Sequence, residues 1–346
     1  MLIARAPLRI GLAGGGTDLQ AYYERHGGAV VSATIDKHVY VILSPGAGRH
    51  IQVSSSDYRS FFRNGVDELA RIDGDLRLPK AVLRRFGVRS GLSILLASQV
   101  PPGTGLGSSS AIAVALTKAL SELCGRHLSP VEVAEAACEV EIGELGMPIG
   151  KQDQYAASFG GLRFYEFTGD GVRTERLDVP PGTMAALEER LMLFFTPGRH
   201  DSGQILAEQR RNCLDGTTGA VEALHEIKEI ALRTRADLLA GDVSRVGAGL
   251  HQSWMAKRRL ARGISHPAID AWYELAREAG AAGGKIAGAG GGGFLLLCCE
   301  PERQEAVASA LDGAGLVRMD FRLESGGAMV IVNHLAGAVA AVGAGA

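Results

Sequence analysis

Apolar residues recur at every second position from Leu2 to Leu12, the period of a strand with one buried face. Apolar, β-branched runs at Ala29–Ala33, Val39–Leu43 and Ile51–Ser54 predict further strands, arranged as a hairpin or small mixed sheet. Leu19–Arg25 predicts a short helix. Val66–Phe86 has helical spacing in places, broken near Asp73-Gly74 and Pro79. Leu92–Ala97 predicts a buried strand, and a helix follows over about Ser109–Cys124. Ser129-Pro130 opens another helix, with Ser as N-cap and Pro at its first position, which ends near Gly146-Met147-Pro148. Gly161–Phe167 predicts a strand.

The second half predicts a strand at Leu191–Thr196, then helices near Ser202–Arg211, Gly219–Leu239, Ser244–Arg262 and Pro267–Ala279. Phe294–Cys299 predicts a buried strand, Glu302–Leu311 a helix, and Leu316–Arg322 and Ala328–Val332 the closing strands. Strands and helices without strict βαβ spacing imply an α+β fold. The acidic, Gly/Pro-containing stretch Asp170–Thr183 divides the chain into domains at 1–183 and 184–346.

Composition narrows the partners. The 346 residues hold Lys+Arg 36 against Asp+Glu 38, a balance that argues against nucleic acid or an anionic membrane as partner. The five cysteines are scattered and form no C-x-x-C, which points to reduced thiols in the cytoplasm. The Ala/Gly/Val-rich tail from Leu335 is too short to span a bilayer.

The candidate chemistry centres on Pro102-Gly103-Thr104-Gly105-Leu106-Gly107-Ser108-Ser109-Ser110, set between a predicted strand and a predicted helix. Glycines let backbone N–H groups approach an anion, and a helix N-terminus adds unpaired donors and a positive dipole end. Serine hydroxyls bond phosphate oxygens or ligate Mg²⁺. No lysine precedes the hydroxyls, so the P-loop pattern is not met, and the glycine spacing is not the dinucleotide fingerprint. A plain strand-to-helix turn with a serine cap is the alternative. Two more glycine stretches, at 14–16 and 288–293, also flank predicted strands, and convergence of the three would follow from what glycine permits. Among Glu139, Glu141 and Glu144, one is placed to reach Mg²⁺ and the others to be solvated. Asp153 beside Lys151 reads as a base kept ionised by a cation, or as an ordinary ion pair. Arg9 and Asp18 flank the first glycine turn.

The three glycine stretches, in this order, resemble the three motifs of the GHMP kinases (galactokinase, homoserine kinase, mevalonate kinase and phosphomevalonate kinase). Ala6-Pro7-Leu8-Arg9-Ile10 with Gly16-Thr17-Asp18 resembles the first, the central loop the second, and Lys285–Gly293 the third. The resemblance implies a ribosomal S5 domain 2-like N-terminal domain and a ferredoxin-like C-terminal domain. It implies that Pro102 to Ser110 hold the phosphates of ATP, and that Ser109, Ser110 and Glu141 reach Mg²⁺. Asp153 would be the catalytic base, assisted by Arg9 and Lys151. Gly14, Gly15, Gly16, Thr17, Asp18, Lys37, Gly290 and Gly291 would contact the substrate. Ala33–Lys37 and Gly150–Tyr155 further suggest transfer of the ATP γ-phosphoryl group to the anomeric hydroxyl of a heptose 7-phosphate, as a monomer or homodimer. Gly15-Gly16 stand where galactokinases have Glu-His, against galactose, and His200 stands where an arginine is expected. Lys37, Arg163, Arg199, His200, Lys257 and Arg258 are candidate clamps for the substrate's phosphate, and Ser54–Asp57 a candidate adenine contact. A kinase of a free sugar such as fucose and a non-catalytic ATP and sugar sensor are the alternatives.

Overall fold

The computed structural model describes residues 1–46, 48–55, 60–65, 76–88, 91–198, 202–216 and 219–335. The elements run β1 (Leu2–Ala13), α1 (Gln20–His26), β2 (Gly28–Pro45), β3 (His50–Ser55), β4 (Ser60–Gly65), α2 (Arg77–Arg85), β5 (Leu92–Ser98), α3 (Ser108–Leu123) and α4 (Pro130–Cys138). A π-helix, Glu139–Glu144, continues α4, followed by α5 (Gln152–Phe159), β6 (Leu162–Thr168) and β7 (Gly171–Arg176). The second half runs α6 (Thr183–Arg190), β8 (Leu191–Thr196), α7 (Ser202–Leu214), α8 (Ala220–Leu239), α9 (Val246–Lys257), α10 (Pro267–Ala279), β9 (Gly283–Ile286), β10 (Gly293–Cys298), α11 (Gln304–Gly313), β11 (Val317–Met319), β12 (Leu323–Glu324) and β13 (Met329–Asn333).

The fold is α+β. Nine strands form one sheet in the order β13-β1-β2-β5-β3-β4, with β12 and β6 also pairing β2 and β7 pairing β6; four antiparallel strands, β11-β8-β10-β9, form the other. α3 lies against the first sheet, and every residue from Ala111 to Thr117 is buried. A helix apolar on all sides is a core helix, and this one carries the central glycine loop at its N-terminus. A second core gathers Phe194, Trp254, Tyr273, Leu295 and Leu297 around the smaller sheet.

Several expectations change in tertiary context. The runs at Ala29–Ala33 and Val39–Leu43 belong to one strand of 18 residues. Its register against β1 slips where Pro7 faces His38 but Leu8 faces Ile35, so polar Asp36-Lys37 mark a bulge, not a turn. Leu92–Ala97 is only half buried, since Leu95 stays 42% exposed. The stretch expected to divide the domains contains β7, hairpin partner of β6. The chain also crosses back over that division, because β12 pairs β2 and β13 pairs β1. Much of Val66–Phe86 lies outside the described residues; its last part is α2.

Candidate active site

The central loop turns through Gly103, Gly105 and Gly107, all at positive φ (74°, 82° and 79°). Gly105 cannot carry a side chain for a second reason: a Cβ there would lie 2.7 Å from the carbonyl carbon of Ala287. The third glycine stretch therefore packs backbone to backbone on the second, tied by Phe294 N–H to Thr104 O (3.2 Å). β1, which leads into the first stretch, joins the loop through Arg9 N–H to Leu106 O (3.1 Å), and Gly14 and Gly15 line a cavity with Gly288. The three stretches converge, as expected. Pro102 and Gly103 are exposed, Thr104 and Leu106 are buried, and Ser108 and Ser110 are buried in the first turn of α3.

Arg9, only 4% exposed, spans two partners. Its Nε and Nη2 donate to Asp153 Oδ1 (2.7 and 2.6 Å), and its Nη1 donates to Gly105 O (2.6 Å). Asp153 is in the first turn of α5, and a Cβ on Gly107 would lie 3.3 Å from its carboxyl. A carboxylate oriented by a guanidinium thus sits beside the N-terminus of α3. Lys151 does not join the pair: its ammonium lies over the Tyr23 ring, 5.5 Å from the centroid.

Asp18 is buried and accepts from Gly16 N–H (2.9 Å), Gln152 N–H (3.0 Å) and Gln152 Nε2 (3.3 Å). Burial raises its pKa, opposed by the Gln152 N–H. Gly15, Gly16, Asp18 and Asp153 line one cavity with Gln209 and Lys257. Thr17 departs from its expected role. Its hydroxyl donates to Gly14 O (2.8 Å) or Ala29 O (3.0 Å) and accepts from Ala29 N–H (3.0 Å), so it braces the turn from within the core.

Glu141 lies on the π-helix and is fully buried, in line with Val133 and Ala137 on α4, while Glu139 stays exposed in an ion pair with Arg85. Gln154 Nε2 donates to its Oε2 (2.6 Å) and the Ser109 hydroxyl to its Oε1 (3.4 Å). Burial pushes its pKa up to about 7, against hydrogen bonds from Gln154 and Ser110. The Gln154 carbonyl oxygen is buried and accepts no hydrogen bond. These oxygen donors fit a hard divalent cation. Among the described residues no cluster of three His, Cys, Asp or Glu could hold a metal.

Other expected contacts are displaced. Lys37 pairs with Asp36 (3.1 Å) at the bulge of β2. Gly290 and Gly291 pack on Ile264, with Gly291 N–H donating to its carbonyl (2.9 Å); Ala287, Gly288 and Ala289 face the cavities instead. Of the candidate clamps, Arg163 donates to Gly160 O (2.8 Å) and Arg258 pairs with Asp270 (3.0 Å). Arg199, His200, Ser56 and Asp57 lie outside the described residues. Among the described candidates, Lys257 alone lies in the cleft, buried, with its pKa lowered to about 7 by desolvation and by Arg9. Sequence reasoning passed over Gln152, Gln154, Gln209, Ser253 and Lys285. The only signal for them was their place beside Asp153, on helices α5, α7 and α9, or at the head of the third glycine stretch.

Residues 76–161 match the model of the GHMP kinases N-terminal domain and 234–316 that of the GHMP kinases C-terminal domain. The chain is 34% identical over 313 residues, covering 89% of this chain and 92% of the relative, to a D-glycero-alpha-D-manno-heptose 7-phosphate kinase of Campylobacter jejuni. A mevalonate kinase of Thermococcus sibiricus is 26% identical, over 84% of this chain and 88% of its own. A crystal structure of a D-glycero-D-manno-heptose 1-phosphate kinase from Bacteroides thetaiotaomicron superposes with a TM-score of 0.80 at 30% identity, over 96% of this chain and all of its own (100%). With its glycine stretches converged around an arginine-held aspartate, the chain belongs to the GHMP kinase family, and is a phosphotransferase that uses ATP.

Proposed function

We propose that this protein transfers the γ-phosphoryl group of ATP to the anomeric hydroxyl of D-glycero-D-manno-heptose 7-phosphate, giving the 1,7-bisphosphate. The observation that carries the reading is the Arg9–Asp153 pair placed between the α3 N-terminus and the cavity of Asp18, Gln152 and Gln209. The likeness to the Campylobacter jejuni kinase supports the choice of acceptor.

Phosphoryl transfer depends mostly on positioning and charge neutralisation. The loop from Pro102 to Gly107 and the first turn of α3 present backbone N–H groups to the phosphates. Ser109, Ser110 and Glu141 would hold Mg²⁺, which when bound neutralises phosphate charge. Asp153 takes the proton of the attacking hydroxyl at its carboxylate. Arg9 holds that carboxylate fixed, and through Gly105 O ties its position to the loop. Asp18, held by Gln152 and Gly16, orients a sugar hydroxyl beside the base. Residues up to 183 supply this machinery, and α7, α9 and the third glycine stretch close the cleft.

ATP consumption with Mg²⁺ tests the reading, comparing heptose 7-phosphate with free heptose, mannose, fucose and galactose. Turnover confined to the 7-phosphate is expected. Equal or better turnover of a free sugar would overturn the acceptor while keeping the kinase.

A further inference from the structure

The cleft deepens into a second pocket that shares Arg9, Gln152, Lys257 and Gly288 with the cavity of Asp18. The wall made by β1 and the turn after it is glycine at 11, 14 and 15, so backbone forms the surface there. The facing wall is made by α9 and β9 and carries Ser253, Lys257 and Lys285, all buried. Ser253 and Lys257 stand four apart on α9, which puts them on one face. The Ser253 hydroxyl has no hydrogen-bond partner. Lys257 donates to Ile286 O (3.3 Å) and to Gly288 O. Lys285 is only 7% exposed, and among the described residues its ammonium makes no hydrogen bond or ion pair. A Cβ on Gly11 would lie 3.6 Å from its Nζ, so the amine reaches across to β1.

Asp18 acts on Lys257 across the cavity, against burial and Arg9, but among the described residues no acid acts on Lys285. Asp153 is taken by Arg9, and Asp18 by Gln152 and Gly16. The charges acting on Lys285 are Lys257 and Arg9, both positive, and with burial they hold its pKa well below the usual lysine range. A buried amine without a partner and an orphaned hydroxyl, beside a second buried amine that meets only carbonyl oxygens, are costly to leave without an anion. A neutral sugar hydroxyl would not require them. A phosphate, with several acceptor oxygens and negative charge, answers every donor at once.

We propose that Lys285, Lys257 and Ser253 form a phosphate subsite on the C-terminal wall of the cleft, separate from the loop at 103–107. The phosphate is either the acceptor's own or the phosphoryl group in transfer, and the choice between these sources rests on the acceptor reading above. Because the amines are deprotonated more readily when the pocket is empty, filling it draws protons from solution.

Calorimetric titration with inorganic phosphate, in buffers of different ionisation enthalpy near pH 7.5, tests the subsite without any turnover. We expect binding with proton uptake, weakened at least tenfold in Lys285→Met and severalfold in Ser253→Ala, while affinity for a non-hydrolysable ATP analogue stays within twofold of wild type. That last value also certifies the fold of each variant. Steady-state kinetics then separate the sources. A tenfold or greater rise in KM for heptose 7-phosphate with kcat kept assigns the acceptor's phosphate. A tenfold or greater fall in kcat with both KM values kept assigns the transferred group. A folded Lys285→Met protein with wild-type phosphate affinity, kcat and KM overturns the subsite, as does a wild type that binds no phosphate. Lysine-dependent phosphate binding without turnover of any heptose 7-phosphate would keep the subsite and sink the acceptor reading.

Discussion

The two walls of the cleft treat buried charge in opposite ways. On the N-terminal wall each ionised or ionisable group has its partner in place: Asp153 has Arg9, Asp18 has Gln152, and Glu141 has Gln154. On the C-terminal wall Lys285 and the Ser253 hydroxyl have none. A base must be aimed before the substrate arrives, so its orienting bonds are built into the protein. A binding group whose partner arrives with the ligand can be left unmet, because the ligand supplies the counter-charge. The unpaired wall therefore reports what is bound, and the paired wall what is done to it.

The contrast breaks most sharply at the base. Asp153→Asn should lower kcat by roughly 10²–10⁴-fold, while ATP-analogue affinity measured by calorimetry stays nearly unchanged. Retention of most of kcat would remove Asp153 from the paired wall's chemistry.

The pH dependence of stability should run oppositely for the two walls. Glu141 is raised from 4.5 to about 7, so the native ligand-free protein favours its neutral form and stability is lost as pH rises from about 4.5 to 7. Lys257 is lowered from 10.5 to about 7. The unfolded chain then binds the extra proton between pH 7 and 10.5, and stability is gained as pH rises through that window. Urea unfolding of Glu141→Gln should flatten the first slope and of Lys257→Met the second, each by up to about 3–5 kcal/mol over its window. Unchanged slopes would mean that water reaches these groups.

A smaller effect is expected where the walls meet. Gly105→Ala places a side chain at positive φ against Ala287 and should lower stability by about 1–3 kcal/mol together with kcat, since the loop and the third glycine stretch must part. Gly87→Ala, at φ 63° with open space around it, should show only the backbone part, about 1–2 kcal/mol, and normal kcat. Smallest of all, Lys37→Ala removes a half-exposed pair with Asp36 and should change stability by no more than about 1 kcal/mol, with no change in KM for the acceptor.

Much of this was legible in the chain. The strand at Leu2–Leu12, the helix from Ser109, the Ser129-Pro130 cap and the convergence of three glycine stretches follow from periodicity and glycine chemistry. The structure gives Ser129 a capping box with Glu132. The π-turn was not legible, because a one-residue widening leaves apolar spacing almost unchanged; Glu141 continues the buried face of Val133 and Ala137 at four-residue spacing, and Glu139 falls off it. The family resemblance implied that Thr17 and Lys37 contact the substrate. Thr17 is consumed by the backbone of Ala29, and Lys37 by its neighbour Asp36.

The sequence by itself determined the elements that make local contacts: strand and helix periods, helix caps, and the glycine positions that permit backbone to meet backbone. It also determined the family, because those glycines stand in a fixed order with Arg9, Asp18 and Asp153. Tertiary structure decided which charges meet. Arg9 and Asp153 are joined across 144 positions of chain, and Lys285 faces Gly11 from the other half of the molecule. Burial at such long range sets whether a side chain is solvated, paired or left open for a ligand, and no local pattern encodes it.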